Sequence, residues 1–448
     1  METPKLAPMR LHFILAISLL LSAECTAQGN TSSDDRQPPL VARLGKDPAT
    51  SLYTISIKDG GAPLVVDLAG PLVWSTCQTV HHTFPCDSAE CATAANAPPP
   101  GCENADCGAA DGDRQHGGGW SSRCRCTAHP CSPVPPGLCA AGDLTSFAMS
   151  ADATDGRNTL FPVSFTAVGA CAPERLLRSL PAGATGVAGF GRGAALSLPS
   201  QLAAQRRFGR SFALCLPGVA LVGDTPIYLM GYPPELTAVI AHTPLVRNPR
   251  GGGGGYYLPV ESISVYWNGA TTPASIPPGA LGIDPWTGRG GVTLSTVQRH
   301  TSVRGDVLRP LLQAFDAAVA AAGYVNRTAA VAPFQLCYDT FTMRRTKRTG
   351  WDFPSIRLEL AAGASMNWSL DNGNYLVQAA DRTACLAFVE MGEEAGHDDE
   401  AAPAMVIGGY QLEDNLLVFD EDEEVLHFSG LLWGSGATCS SFNFTRAS

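Results

Sequence analysis

The stretch VVDLAGPLVW (residues 65–74) decides the fold, because it places one acidic side chain between two apolar segments. The β-branched and aliphatic residues on both sides of the acid are typical of short buried strands. The Gly70-Pro71 pair between them predicts a tight turn. Asp67 therefore ends a strand where the chain turns. The function depends on whether a second carboxylate stands beside it.

The chain has 448 residues, more than a single hydrophobic core usually accommodates. We expect an N-terminal lobe over residues 28–225 and a C-terminal lobe over residues 226–448. Residues 1–27 have the basic start, apolar run and small-residue exit of a secretory signal peptide. The apolar run is too short to span a bilayer, so we expect a secreted, extracellular protein without a membrane anchor.

Cysteine usage fits secretion. Of 15 cysteines, removal of the signal would leave 15 − 1 = 14, an even number that can pair completely. Residues 77–139 are rich in Pro, Gly and Cys and poor in apolar runs, so we expect disulfides to hold this insert. A zinc site is the alternative there, from Cys124, Cys126 and Cys131 with His116 and His129. Their spacings do not form paired CxxC units, so no metal is expected.

Overall charge and short motifs narrow the function further. A net charge of −11 makes nucleic-acid binding through overall charge a poor interpretation. Four Asn-x-Ser/Thr triplets could accept glycans in a secreted chain, at Asn30, Asn326, Asn367 and Asn443. The sequence lacks GxSxG, HExxH and a Walker loop, so no cofactor and no other catalytic nucleophile are indicated.

Strand patterns dominate the rest of the chain, with a few short helices expected at residues 173–180, 198–207 and 306–322. Asp306 is expected to cap the last helix and Gly323 to end it. The glycines of TGVAGFGRG (residues 185–193) could form a phosphate loop, but no βαβ unit surrounds them. Close backbone packing is the preferred interpretation. The acidic run at residues 420–424 is expected to be a solvated hairpin tip.

Four segments together resemble the pepsin-like aspartic peptidase superfamily and, within it, the plant xylanase-inhibitor group that includes the basic 7S globulins. They are residues 67–77, TGVAGFG (185–191), GGVTLST (290–296), and the C-terminal set AFVEM (387–391), VIGG (406–409) and 417–428. The resemblance spans nearly all of the mature chain. It implies a mainly β, bilobal double β-barrel with a few short helices, and we expect a monomer.

Peptidases of this superfamily place one Asp-Thr/Ser-Gly motif on each lobe, and the two carboxylates share a proton to divide the roles of base and acid. Here the first motif is DLA (67–69), so Asp67 is retained without its Thr-Gly neighbours. The second is STV (295–297), in which Ser295 stands where the second aspartate belongs. Residues 147–158 also lack the tyrosine of the superfamily's flap. These changes predict lost peptidase chemistry, with Asp67 kept to accept hydrogen bonds at the join of the lobes.

The resemblance implies a plant defence protein of the cell wall that inhibits microbial endo-1,4-β-xylanases of glycoside hydrolase family 11, or another glycoside hydrolase. Family inhibitors insert a histidine and a leucine between the two carboxylates of the target. In this sequence Trp433 takes the place of the histidine and Gln298 that of the leucine. We therefore expect target contacts from Trp433, Gln298, Arg299 and His300. A surviving aspartic endopeptidase and a non-inhibitory carbohydrate- or peptide-binding globulin remain alternatives.

The resemblance also implies three disulfides, Cys215–Cys439, Cys337–Cys385 and Cys77–Cys171. Eight cysteines of the insert are left, at positions 86–139, and the sequence leaves their connectivity open. Cys124–Cys131 is expected as the pair that this chain adds to the usual family set.

Overall fold

Strands form most of the fold, and the computed structural model describes residues 37–95, 125–155, 159–232, 235–250, 254–346, 350–392 and 402–446. The expected signal segment and Asn30 lie outside these residues, as do His116, Cys102, Cys107 and Cys124. The described residues all belong to one unit, Arg36–Ser448.

The strands, named in chain order, are β1 (Leu40–Lys46), β2 (Tyr53–Ile55), β3 (Leu64–Asp67), β4 (Val73–Ser75), β5 (Thr127–Ala128), β6 (Gly142–Ala153), β7 (Phe161–Cys171), β8 (Gly186–Gly189), β9 (Ser211–Cys215), β10 (Val219–Val222), β11 (Ala241–Pro244), β12 (Tyr257–Leu258), β13 (Val260–Trp267), β14 (Ala270–Pro273), β15 (Val292–Leu294), β16 (Thr301–Val303), β17 (Arg327–Thr328), β18 (Cys337–Asp339), β19 (Ser355–Leu360), β20 (Trp368–Leu370), β21 (Leu376–Ala380), β22 (Thr383–Leu386), β23 (Phe388–Glu390), β24 (Met405–Ile407), β25 (Asn415–Asp420) and β26 (Val425–Leu431). The helices of the described residues are α1 (Ala89–Ala95), α2 (Leu198–Arg206), α3 (Gly305–Ala322), α4 (Asn372–Tyr375) and α5 (Gly409–Leu412), with 3₁₀ turns at Glu174–Leu177, Leu432–Ser435 and Cys439–Ser441. The mainly β fold class with a few short helices is confirmed.

A 13-stranded sheet connects the early and late parts of the chain, in the order β11-β26-β25-β9-β10-β1-β2-β3-β8-β4-β7-β6-β5. Strand β25, close to the C-terminus, pairs antiparallel with β9 of the first half. Three smaller sheets come from the second half, in the orders β12-β15-β24-β16-β23, β14-β13-β19-β20 and β17-β18-β22-β21. The long sheet therefore ties the two halves together through backbone hydrogen bonds.

Aromatic packing reinforces the β9–β25 join. The rings of Phe212 and Phe419 stack with centroids 4.7 Å apart, and Tyr256 meets Phe419 edge-on at 4.6 Å. Phe190 contacts Phe212 at 5.3 Å from a fourth segment of the chain. All four side chains are buried. Aromatic pairs of this kind contribute about 0.5–1.5 kcal/mol each beyond their buried area, so the join is held by side chains as well as by the sheet.

Helix α3 confirms the expected helix at residues 306–322, and its apolar face is buried through Val307, Leu311 and Phe315. Gly323 ends it in a left-handed conformation, as expected. The expected capping role of Asp306 is wrong, because Arg304 occupies the N-cap and binds the Asp306 carboxylate through Nε at 2.6 Å and Nη2 at 2.9 Å.

The helix expected over residues 173–180 is also wrong. Only the 3₁₀ turn Glu174–Leu177 forms, between Pro173 and Pro181. A proline disfavours helical backbone in the residue before it, and so short a segment cannot offset the cost of starting a helix. None of the described helices is long and apolar enough to cross a membrane.

The acidic run at residues 420–424 does lie at the β25–β26 turn, but it is not uniformly solvated. Glu421 is only 4% exposed and accepts hydrogen bonds from the Tyr256 hydroxyl at 2.6 Å and the Gly193 amide at 3.1 Å. Arg210 binds Asp422 at 2.8 Å. The run thus anchors the turn to the segment after β8, which the one-dimensional charge pattern did not indicate.

The three disulfides that the resemblance implies are all present: Cys77–Cys171, Cys215–Cys439 and Cys337–Cys385. Within the insert, Cys91 pairs with Cys126 and Cys131 with Cys139. The expected Cys124–Cys131 pair is therefore wrong, since Cys131 bonds the nearer Cys139 across a β-bridge. Cys126 and Cys131 are both disulfide-bonded, so neither can supply a thiolate to the alternative zinc site.

The glycines of residues 185–193 serve close packing, as preferred from the sequence. A Cβ on Gly186 would lie 2.0 Å from the Trp74 carbonyl oxygen, and one on Gly189 would lie 2.4 Å from that of Gly70. Strand β8 runs parallel to β3 and antiparallel to β4, so it sits between the two strands that flank the Asp67 turn. Only glycine permits so tight an approach at these points.

Candidate functional site

The sheet register shows that Asp67 and Ser295 occupy equivalent positions in the two halves. Strand β3 runs parallel to β8, and β15 runs parallel to β24 in the same relation. After each of these two positions the backbone turns, and the carbonyl three residues later accepts a hydrogen bond from a glycine amide. The Gly70 carbonyl accepts from Gly191 and the Gln298 carbonyl accepts from Gly409, both at 2.8 Å. The geometry therefore supports the alignment that placed Ser295 at the second aspartate's position.

The hydroxyl of Ser295 is engaged in its own turn. Its Oγ accepts the amide of Gln298 at 3.1 Å and that of Val297 at 3.3 Å. A neutral hydroxyl in this setting can neither carry a negative charge near neutral pH nor share a proton as a carboxylate does. The second half of the site thus supplies a turn-stabilising acceptor in place of an acid.

Asp67 lies in a cavity of about 250 Å³ that is also lined by Trp74, His129, Ser132 and Val297. Among the described residues that line it, Asp67 is the only carboxylate. Its Oδ1 accepts the Ala69 amide at 3.1 Å. Loss of solvent raises the pKa of Asp67 to about 6, although the amides of Ala69 and Gly70 oppose that rise. A protonated, proton-donating carboxyl at mildly acid pH is the result.

Asp67 does not itself join the two halves, contrary to expectation; Thr296 does. The Thr296 hydroxyl donates to the Val66 carbonyl at 2.6 Å and accepts the Leu68 amide at 3.0 Å. Thr296 is 1% exposed, so both bonds are shielded from water. Leu68 is the residue of the first half that corresponds to Thr296, and it has no hydroxyl. The first half therefore makes no equivalent bond to the second half. The threonine of the STV triplet (295–297) is the only sequence signal for this contact.

Two of the expected target-contact residues are exposed on the loop after Ser295, and both hold helix α5 through their backbones. The Gln298 carbonyl accepts the Gly409 amide at 2.8 Å, and the Arg299 carbonyl accepts the Tyr410 amide at 3.0 Å. The side chains of Gln298 and Arg299 face solvent. The loop is therefore fixed while its side chains stay free to bind.

His300 is less available. Its half-buried ring packs edge-on against Phe334 at 5.1 Å and Tyr410 at 5.9 Å. Loss of solvent, with smaller effects from nearby Arg299 and Lys46, lowers the pKa of His300 to about 4. The imidazole is therefore neutral above about pH 5 and serves as packing for the loop.

Trp433 is 43% exposed, and its indole is held by Asp414. The Nε1 donates to Asp414 Oδ2 at 2.6 Å, while Oδ1 of the same carboxylate accepts the amide of disulfide-bonded Cys439 at 2.8 Å. Trp433 connects to the Ser295 loop indirectly. A Cβ on Gly373 would lie 3.3 Å from its ring, and the Tyr410 hydroxyl lies 3.5 Å from the Gly373 carbonyl. Trp433 is thus connected to His300 through Gly373 and Tyr410.

No metal site emerges among the described residues. The cluster of potential ligands found there is Cys77, His81 and Cys171, and its two cysteines form a disulfide, so they offer no thiolate. Three of the four glycan acceptors are exposed, at Asn326, Asn367 and Asn443. Asn367 and Asn443 already bond neighbouring groups through their amides. Glycan attachment stays a prediction.

Fold and site together define the class, a pepsin-like aspartic-peptidase fold in which serine stands at one of the two aspartate positions. Family models then give the particular group. The model described as Xylanase inhibitor N-terminal matches residues 53–224, and the one described as Xylanase inhibitor C-terminal matches residues 255–430. The chain belongs to this xylanase-inhibitor family.

Individual relatives carry diverse names. The protein called Chitinase CLP from Oryza sativa subsp. japonica is 42% identical over 451 residues, covering 98% of this chain and 100% of that protein. The Probable aspartic proteinase GIP2 of Nicotiana benthamiana is 31% identical over 472 residues, covering 97% and 98%. The crystal structure of edgp matches with a TM-score of 0.77 at 30% identity, covering 92% of this chain and 99% of that one.

Replacing Thr296 by valine should destabilise the protein by about 2–4 kcal/mol, because the Val66 carbonyl and the Leu68 amide would both lose a buried partner. Thermal and urea unfolding measure this. Thr296→Ser keeps the hydroxyl, so its free energy of unfolding should fall much less than that of Thr296→Val. Thr271→Val, on the exposed strand β14, should change little. Equal effects from Thr296→Val and Thr296→Ser would contradict a role for the hydroxyl bonds.

The raised pKa of Asp67 predicts a pH-dependent stability. The folded pKa of about 6 exceeds the unfolded value of about 3.9, so the contribution is fully present below about pH 4 and is lost as pH rises through 6. Allowing for partial solvent access, the loss is about 1–2 kcal/mol by pH 7. Asp67→Asn should remove it, so urea denaturation at pH 4 and pH 7 should show a smaller difference than the wild type. Parallel pH profiles for the two proteins would refute the assignment.

Proposed function

We propose that this chain is a secreted, catalytically inactive member of its family that binds and inhibits a microbial glycoside hydrolase in the plant cell wall. Endo-1,4-β-xylanases of glycoside hydrolase family 11 are the first targets to test. Family membership over both matched segments supports the proposal. The observation that carries it is the single carboxylate of the Asp67 cavity, together with a serine, Ser295, at the equivalent position of the second half.

Loss of peptidase chemistry follows from that observation. An aspartic peptidase activates water between two carboxylates that share one proton. Asp67 can hold a proton at mildly acid pH, but no carboxylate stands at position 295 to accept one from water. The scaffold is then free to act by binding, through loops fixed on rigid strands.

The exposed loop after Ser295 is one part of the proposed contact surface. Gln298 and Arg299 present free side chains from a backbone held by α5, which limits the entropy lost on binding. His300 and Trp433 are tied into their own contacts, so they support the surface mainly by packing. The disulfides Cys215–Cys439 and Cys337–Cys385 fit an oxidising, extracellular setting.

Titration of the protein against a panel of family 11 xylanases should show stoichiometric, saturable inhibition of at least one enzyme. Asp67→Asn should inhibit equally well, because binding does not require the acid. Arg299→Glu should weaken inhibition by about tenfold or more if the loop faces the acidic catalytic cleft. Absence of inhibition at micromolar excess of protein would remove the proposal. Acid proteolysis that pepstatin abolishes would show instead that peptidase activity survives.

A second candidate is hydrolysis of chitin, favoured by the name of the 42% identical rice relative and by the protonated Asp67. Some glycosidases use the substrate's own N-acetyl group as the nucleophile, so a single carboxylic acid can suffice. Asp67 would then give its proton to the glycosidic oxygen as the acetamido oxygen bonds the anomeric carbon, and water would open that intermediate.

The chitin candidate predicts release of shorter oligomers from N-acetylglucosamine hexamer at about pH 5, measured by chromatography. Asp67→Asn should abolish the release, because its amide cannot protonate the leaving oxygen. Ser295→Ala should leave it nearly unchanged, since that hydroxyl serves only its turn. No release by the wild type, or equal release by Asp67→Asn, would exclude this chemistry at Asp67.

A further inference from the structure

An exposed tryptophan is presented by a rigid turn at residues 284–289, which ends six residues before Ser295. Trp286 is 80% exposed. The turn is closed by the Asp284 amide donating to the Arg289 carbonyl and the Gly288 amide donating to the Asp284 carbonyl, both at 2.8 Å. Asp284 Oδ1 accepts the amides of Trp286 and Thr287, each at 2.8 Å. These bonds fix the backbone under the indole.

A second segment locks the same turn from one side. The Asn248 side-chain amide donates to the Gly288 carbonyl at 2.6 Å, and its Oδ1 accepts the Arg250 amide at 3.0 Å. Gly288 has a φ of +77°, and a Cβ there would lie 2.5 Å from the Cβ of Arg250. The Cβ of Arg250 therefore packs directly against the turn that carries the exposed indole.

The charge around Trp286 is locally positive on a chain whose net charge is −11. Arg250 and Arg289 are both exposed, and within the described chain neither forms an ion pair. Arg289 lies near Asp306, but Arg304 already binds that carboxylate at 2.6 and 2.9 Å. Asp284 stays ionised because backbone amides lower its pKa, so it offsets one of the two cations and leaves the turn with a small positive excess. Two exposed arginines thus lie on or against the preorganised turn that carries Trp286.

Tryptophan and arginine at a rigid, exposed position form the composition typical of a protein-binding hot spot. A polysaccharide platform is less well matched, since Trp433, the other exposed tryptophan of the described residues, lies outside this turn. The catalytic cleft of a glycoside hydrolase offers complementary chemistry, namely two carboxylates and apolar surfaces that contact sugar rings. Trp433 is less suited to enter such a cleft, because its only polar side-chain atom, Nε1, already donates a hydrogen bond to Asp414.

We infer that the 284–289 turn enters the acidic substrate cleft of the inhibited glycoside hydrolase, with Trp286 in a sugar subsite and Arg250 and Arg289 facing the carboxylates. The inference rests on the proposed inhibitory function and adds to it the element that blocks the cleft. Because the backbone is already fixed, binding orders only the side chains.

Trp286→Ala should weaken inhibition of a susceptible xylanase at least about tenfold, and Arg250→Glu with Arg289→Glu should slow association about tenfold at low salt, with the difference shrinking at high salt. Met366→Ala, which removes another exposed side chain (65%), is the matched control and should inhibit as the wild type does. Thermal unfolding should show all variants folded, because Trp286, Arg250 and Arg289 are all exposed.

The outcomes separate the inference from the proposed function. Full inhibition by Trp286→Ala and by the arginine double variant overturns the inference and leaves the inhibitor function standing. Loss of chitin or xylan binding, with inhibition intact, assigns the turn to polysaccharide and also overturns it. A wild-type protein that inhibits no hydrolase of the panel removes both. Loss of inhibition in Trp286→Ala and competition by a xylo-oligosaccharide support the inference.

Discussion

The Thr296 hydroxyl is the interaction on which the centre of the molecule depends. It bonds the backbone on both sides of Asp67, donating to Val66 and accepting from Leu68, and it does so where water cannot compete. The contact joins the turn after β15 to the end of β3. Since the bond from the opposite side is absent, one threonine connects two segments that lie more than 200 residues apart in the chain.

The same contact explains why Asp67 persists in an unusual state. Its strand is held against the second half, its turn is packed under glycines, and its carboxyl loses solvent without gaining a cation. Desolvation is the largest influence on its pKa, so the group favours its protonated form at mildly acid pH. Asp67 is therefore the single carboxyl of its cavity, and it can donate a proton at mildly acid pH.

Rigid presentation is the common feature of the surfaces proposed for recognition. The Ser295 loop is held by α5, Trp433 by Asp414, and the 284–289 turn by Asp284 and Asn248. In each case backbone or side-chain hydrogen bonds fix the loop and leave selected side chains exposed. We propose that this family member uses the pepsin-like architecture for binding, because loops vary while strands hold the fold.

The sequence by itself determined the mainly β fold, the Asp67 turn, the serine at position 295, helix α3 and three of the disulfides, because each depends on local pattern or on motifs recognisable in order along the chain. Tertiary structure alone decided the burial of Glu421, the lowered pKa of His300, the Cys131–Cys139 pairing and the hydrogen bonds of Thr296 to Val66 and Leu68. These properties arise from contacts between distant segments, and no periodicity or spacing encodes which side chain will lose its water.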